Sequence, residues 1–374
     1  MLIKGLIFIK KTLDFLKGQA VLCISAVVAT ATCFVVFPDK KYADYVDFDV
    51  LILLFCLMGA VQGLSKGGVF DFVSKKLTKS SNARRLCFLL MNACFFSSML
   101  ITNDVALITF VPLAVMIFKG KSKAKDLIFT VVIQTVSANL GSMLTPIGNP
   151  QNLYLYSHYN LTMGVFLKTL LPVGILSYAM LCVMCFFVSK DSFEATQTEE
   201  IPLDRVKISA FVVIFLVSIL TVMRVVPHLW CFVISIAIIL VADRKVLLKI
   251  DYSLLLTFVC FFVFVGNMGR IDAVTEFVSS LLKDREILVS AGISQVISNV
   301  PAAVMLSQFT QKSAELLMGV NIGGLGTPVA SLASLISMKL YSKSENAKNG
   351  RYMGVFTAVN FIFLAVLLCF AIFL

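Results

Sequence analysis

Charge is scarce in this chain. Aspartate, glutamate, lysine and arginine make up 14% of its 374 residues, where soluble globular domains carry about a quarter. With 59% hydrophobic residues and a mean hydropathy of +0.94, the composition excludes a water-soluble domain and requires a polytopic membrane protein. Histidine occurs only as His158 and His228, in separate short loops, so spacing offers no histidine metal site. The single tryptophan leaves a thin interfacial aromatic belt. No glycine-rich lysine loop for nucleotide phosphates occurs, which argues against ATP-driven pumping by this chain alone. An intramembrane aspartyl protease would need two membrane aspartates in a Gly-x-Gly-Asp setting, and a serine protease a Ser/His pair at depth. The sequence has neither, so no enzymatic activity is expected.

Apolar sequence is what the chain has in abundance. Runs at 20–37, 48–65, 161–188, 208–223, 227–242, 252–268 and 352–374 approach the ~20 residues a spanning helix needs. The ten cysteines are scattered, and the Cys182/Cys185 pair lies inside "YAMLCVMCFFV", where packing is the expected role. The formal charge of +11 does not point to nucleic acid. About three quarters of the basic residues fall in 1–18, 66–85, 119–125, 189–207, 243–249 and 339–351, as the positive-inside rule expects of cytoplasmic segments. The N-terminus is then cytoplasmic, and "MLIKGLIFIKKTLDFLKGQ" reads as a retained interfacial or short first helix.

Two stretches defeat a simple count of spans. Residues 86–118 are too long for one crossing and short for two, with basic flanks on both sides. A segment that leaves and returns to one face is a re-entrant hairpin, and its turn falls at Thr102-Asn103-Asp104. Two short tilted spans are the alternative. Residues 287–310 form a second hairpin, entering from the opposite face, with Ser298-Asn299 at its turn.

The sequences that follow the hairpins also match. Asn139-Leu-Gly141-Ser-Met-Leu-Thr145-Pro146 aligns with Asn321-Ile-Gly323-Gly-Leu-Gly-Thr327-Pro328, residue type for residue type at Asn, Gly, Thr and Pro. The first copy continues through Gly148 and Asn149 to Asn152. Upstream, "GVFDFVSKKL" at 68–77 corresponds to "DAVTEFVSSLL" at 272–282. Prolines and glycines break a helix, and broken backbone is tolerated at membrane depth only where it is buried in protein or lines a cavity. Matched breaks in an inverted-topology repeat are a mark of secondary transporters. The expected fold is an all-α polytopic membrane protein with an inverted-topology repeat, two re-entrant hairpins, two broken helices and about 9–11 spanning helices. The N-terminal repeat is 1–188, with its hairpin at 86–118 and broken helix at 126–158. A cytoplasmic linker follows at 189–207. The C-terminal repeat is 208–374, with its hairpin at 287–310 and broken helix at 314–341.

At these residues the chain resembles the ion transporter superfamily, in its citrate-transporter-like and arsenite-permease-like branch. That branch is related to divalent anion/sodium symporters and sodium/proton antiporters. "ITNDVALITFVPLA" is similar to the Asn-Asp hairpin of arsenite-permease-like proteins, and "TPIGNPQN" and "ISNVPAAV" resemble the superfamily's break and second hairpin. The likeness covers about 48–374. It implies a scaffold set of helices that carries a homodimer contact, and a transport set that moves as an elevator. In the dicarboxylate symporters a Ser-Asn-Thr triplet at each tip binds carboxylate and frames sodium. Thr102 and Asn103 match its first two positions, as do Ser298 and Asn299, but Asp104 and Val300 depart at the third.

Asp104 is the only charged side chain within the hairpins and break motifs. Burying a carboxylate costs several kcal/mol unless it is protonated or paired. Three roles are open to it: a sodium ligand, the carrier of a coupled proton, or the cap of the second hairpin arm. No lysine or arginine lies in 86–118, 127–152, 287–310 or 316–338, so an anion would rely on hydroxyls, amides and helix N-termini. The expected function is secondary active transport of a small anion or oxyanion, coupled to sodium or protons, with sodium/proton antiport as the alternative. No cofactor is expected beyond the coupling ion, for which Asn103, Asp104 and Asn299 are the candidate ligands. The expected location is a bacterial inner membrane. The resemblance leaves room for a separate ATPase subunit.

Overall fold

A computed structural model describes residues 19–70, 72, 82–118, 124–191, 203–344 and 347–374. The basic N-terminal segment, most of the 68–77 match and the centre of the 189–207 linker lie outside the described residues.

Helix starts follow the sequence closely. Asp47, Asn82, Asn149, Thr162, Asp204 and Asp251 each accept the backbone N–H three residues on, in the N-cap arrangement. Each such cap contributes about 1 kcal/mol. The apolar runs between these caps become helices. The first repeat contains α1 (Ala20–Cys33), the short α2 (Tyr42–Tyr45) and α3 (Phe48–Lys66). Its hairpin is α4 (Ala83–Ile101) and α5 (Asn103–Phe118), its broken helix α6 (Ala124–Ser142) and α7 (Pro150–His158), and its last helix α8 (Met163–Cys185). The second repeat begins with α9 (Arg205–Val222), α10 (His228–Asp243) and α11 (Tyr252–Met268), which turns by 101° into α12 (Asp272–Leu282). Its hairpin is α13 (Glu286–Ile297) and α14 (Asn299–Leu306). Its broken helix is α15 (Ser313–Ile322) and α16 (Leu332–Ser342), joined through a 3-10 turn at Pro328–Ala330, and α17 (Asn349–Ile372) closes the chain.

Five of these helices, α3, α4, α8, α9 and α17, are individually long and apolar enough to cross a membrane, and the bent α11–α12 pair adds a sixth. Simple crossings are fewer than the apolar runs in the sequence because the runs at 20–37, 227–242 and 252–268 form helices of only 14, 16 and 17 residues, and the half-helices and the hairpin arms other than α4 are shorter or less apolar than a full crossing. At 1.5 Å per residue, α13 and α14, with 12 and 8 residues, reach only about 18 Å and 12 Å.

The molecule is apolar on its surface and carries buried polar side chains within its apolar core. Ile175, Phe186, Trp230 and Val241 are exposed on its surface, while Gln134, Asn149, Asn152 and Asn321 are buried. That distribution suits hydrocarbon as solvent, since polar side chains at membrane depth face the interior of the bundle. The hairpin arms α4 and α5 both pack on α6, and α13 packs on α14 and α15. A second apolar cluster, built from Ala60, Val61 and Leu64 of α3, Phe211 and Ile214 of α9 and Ile239 of α10, stands apart from the main core. The repeats interleave: α3 packs on α10 of the second repeat, and α11 packs on α1 of the first.

Candidate functional site

Both hairpins turn through one residue. Thr102 has φ 71° and ψ 153°, and Ser298 has φ 75° and ψ 155°. This region is populated almost solely by glycine, and a side chain there costs roughly 1–3 kcal/mol. The surrounding contacts hold it in place. Thr145 Oγ1 donates to the Met99 carbonyl, and its repeat mate Thr327 donates to the Gln295 carbonyl at 2.8 Å; each acceptor stands three residues before its tip. The Asn103 amide donates to the Gly148 carbonyl at 3.3 Å, and Ser298 Oγ to the matched Ala330 carbonyl at 3.3 Å. Each tip is therefore tied to the break of its own repeat, at the break's depth.

The glycines of the breaks permit close approach. A Cβ at Gly141 would run into the Phe95 carbonyl and Ser98 of α4; one at Gly323 would meet the matched Ala291 and Ser294 of α13. At Gly148 a Cβ would strike the Ser142 carbonyl. Pro146 and Pro328 follow the tethered threonines in the linkers past the ends of α6 at Ser142 and α15 at Ile322, and Pro328 opens the 3-10 turn.

The two breaks are also bonded to each other. Asn149, which caps α7, donates through Nδ2 to Asn321 Oδ1 at 3.3 Å, and Asn321 Nδ2 donates to Asn152 Oδ1 at 2.6 Å. Across the repeat, Ser331 Oγ donates to Asn139 Oδ1 at 3.0 Å, and Asn139 Nδ2 donates to Ser334 Oγ at 3.3 Å. Asn149 and Asn152 stand ten and thirteen residues after Asn139; Ser331 and Ser334 stand ten and thirteen after Asn321. Each repeat's first half-helix thus ends on the start of the other's second half-helix. The sequence reading missed Ser331, Ser334 and Gln295. Carrying the alignment past Pro328 would have reached the two serines, but there the residue type changes from Asn to Ser.

The tips are not equivalent in their side chains. Asn103 donates to Asn139 Oδ1 at 3.1 Å and accepts the Asp104 amide at 3.0 Å. Asn299 is 5% exposed, lies against Gly324, and its side chain has no hydrogen-bond partner among the described residues. Asp104 is the second residue of α5, and its carboxylate takes no hydrogen bond among the described residues. The capping alternative for Asp104 is therefore not what the structure has. Asp104 lines a cavity of about 150 Å³, as do Thr102, Gln62, Asn149 and a second acid, Asp251. Asp251 caps α11 and was not visible as a partner from its position in the sequence. Neither Asn103 nor Asn299 is among the walls of this cavity, so of the three expected ion ligands it brings only Asp104 to the space. No cluster of three metal-ligating side chains occurs among the described residues. Outside the spans, burial holds the Asp47 carboxyl above its ordinary range against the opposing Val50 N–H bond, while the Arg270 guanidinium holds Asp39 below it.

Residues 6–320 match the profile of a family described as CitMHS, citrate transporter. An uncharacterized transporter of Methanocaldococcus jannaschii is 32% identical over 327 residues, which cover 87% of this chain and 90% of the relative. A silicon efflux transporter of Oryza sativa subsp. japonica is 30% identical over 157 residues, covering 41% of this chain and 32% of the relative. The crystal structure of the Alcanivorax borkumensis YdaH transporter has the same fold, with a TM-score of 0.58 at 12% identity, over 89% of this chain and 87% of that one.

Proposed function

The chain belongs to the citrate transporter family, and from that premise we propose that it is a secondary active transporter. It moves a small anion or oxyanion across the membrane, coupled to sodium or protons, with the hairpin tips and breaks as the binding region. The observation that carries this reading is the pair of matched tips, each tied to its own break, with the two breaks cross-bonded through Asn139 and Asn321. Such a unit can move as one body past α3, α9 and α10, as an elevator requires. On the Asp104 cavity, Thr102, Gln62 and the N-terminus of α7 offer neutral donors for an oxyanion. The name of the silicon efflux transporter points the same way, toward small oxyacids.

The first cavity holds Asp104 and Asp251 and no basic side chain. A multiply charged anion would be repelled there. The cargo is accordingly a weak acid in its neutral or singly charged form, or an anion accompanied by a cation. The same two carboxylates favour a second reading, sodium/proton antiport, since two acids on one cavity can exchange a proton for a sodium ion. The proposed setting is a bacterial inner membrane with the N-terminus cytoplasmic, and a homodimer built on the scaffold helices.

Reconstitution with an internal pH dye separates the two. A sodium gradient is imposed with and without a succinate/citrate mixture, and then with silicic and arsenous acids. A pH response that needs the acids supports the permease. A response to sodium alone makes the chain an antiporter. Because sodium-coupled entry of an anion moves no proton, uptake of the isotopically labelled acids is read alongside, and no pH response together with no uptake removes the transport reading for these solutes.

A further inference from the structure

A second cavity, of about 390 Å³, lies between α11, α14 and the end of α7. Several of its walls are the repeat images of walls of the first, though Asp44, Tyr45, His158 and Gln308 are not. Met58 and Phe262 each stand eleven residues after the aspartate that caps their helix, Asp47 or Asp251, and line the first and second cavity respectively. Ile108 and Val304 each stand six residues after their hairpin tip. Ile336 and Tyr154 each stand fifteen residues after Asn321 or Asn139. The capping aspartates themselves swap: Asp251 borders the first cavity and Asp47 the second.

The two images differ in reach. The first cavity touches its tip at Thr102 and Asp104. The second is lined by Phe262, Tyr154 and Val304, and neither Ser298, Asn299 nor Val300 is among its walls. Phe262 is 4% exposed and Tyr154 2%, with ring centroids 5.7 Å apart. The Tyr154 hydroxyl lies 2.9 Å from Ser307 Oγ beyond the end of α14. At the matched places of the first cavity stand Met58 and Ile336, smaller side chains that are only partly buried. Inverted repeats exchange their conformations when access alternates, so what closes one image in this structure has its counterpart in the other.

We propose that these cavities are the two ends of one pathway, that Phe262 and Tyr154 are the gate closed in this structure, and that Met58 and Ile336 close the first cavity in the opposite state. This rests on the transport reading. The test reads thiol accessibility rather than flux, so a wrong cargo or coupling ion leaves its result unchanged. The basic-loop reading puts the first cavity on the cytoplasmic face.

The experiment places single cysteines at the tips, Asp104→Cys or Val300→Cys, in the full-length chain in vesicles. A membrane-impermeant maleimide is applied from each face, and peptide mass spectrometry reads the new site while the native cysteines stay in place. Asp104→Cys is expected to react from one face, and Val300→Cys slowly. Adding Phe262→Ala should raise Val300→Cys labelling at least about tenfold, from the face opposite to the one that reaches Asp104→Cys. Met58→Phe, which puts an aromatic ring at the matched position of the first cavity, should lower Asp104→Cys labelling by a similar factor. Tyr154→Phe keeps the ring and removes its Ser307 contact, and should give a smaller rise if Phe262→Ala does not fold. The proposal is overturned if Val300→Cys reacts equally fast with Phe262 intact, if both tips are reached from the same face, or if none of the three variants changes either rate.

Discussion

Thr102 and Ser298 stand at corresponding places of two hairpins and share one backbone conformation, within 4° in φ and 2° in ψ. Neither is glycine, the residue that adopts this conformation without strain. The molecule has kept a hydroxyl at both tips at a cost of roughly 1–3 kcal/mol each. Thr102→Gly should therefore stabilise the fold by about 1 kcal/mol while impairing transport. Ser298→Gly should gain less, because it also loses the bond to the Ala330 carbonyl. Thermal unfolding in detergent beside uptake in vesicles checks both; a destabilised Thr102→Gly would contradict the strain.

The two tip asparagines should separate stability from function. Asn103→Ala breaks a bond to the buried Asn139 and should cost about 1–2 kcal/mol. Asn299→Ala removes no hydrogen bond and should leave the unfolding temperature close to wild type. Both are expected to abolish transport without preventing insertion. Wild-type rates in both variants would remove the tips from the binding region.

The crossed bonds between the breaks lend themselves to a double-mutant cycle. Asn139→Ala and Ser331→Ala each strand a buried partner, and contacting pairs of this kind show interaction energies of roughly 0.5–3 kcal/mol. Asn321→Ala should be destabilising in the same way, since Asn321 serves both Asn149 and Asn152 as Asn139 serves Asn103, Ser331 and Ser334. Additive losses for Asn139 and Ser331 would mean that the halves are not coupled there.

The carboxylate pair should control coupling. Asp104→Asn is expected to remove sodium or proton dependence of flux. Asp251→Asn keeps a residue able to cap α11, so stability should change by less than about 0.5 kcal/mol, while the ion dependence shifts. Unchanged ion dependence in both would place the coupling ion elsewhere.

Much of this site is legible in the sequence because it is written twice. The Asn, Gly, Thr and Pro that align at 139–146 and 321–328 are the residues whose backbone or side-chain geometry the breaks require. Positions that differ between the copies were harder to read. Ser331 and Ser334 do the work of Asn149 and Asn152 with a shorter side chain. Asp251 meets Asp104 only through packing of distant helices, and nothing in its local sequence, a helix cap like Asp47, marks it for that place. The second cavity is equally silent, since a phenylalanine and a tyrosine in apolar helices look like ordinary core.

The crossed asparagines also bear on how the chain is made. Asn149 and Asn139 find their partners 172 and 192 residues downstream. When the first repeat leaves the ribosome Asn139 already has Asn103 and Asn149 already caps α7, but the bonds to Ser331, Ser334 and Asn321 are unmade, and each group left unsatisfied at membrane depth costs several kcal/mol. The N-terminal half must therefore wait, shielded by lipid defects, water or an insertase, until the C-terminal half arrives. A chain truncated before Asn321 is an incomplete product that quality control should degrade, whereas two halves synthesised separately carry all the contacts needed to find each other and complete the fold.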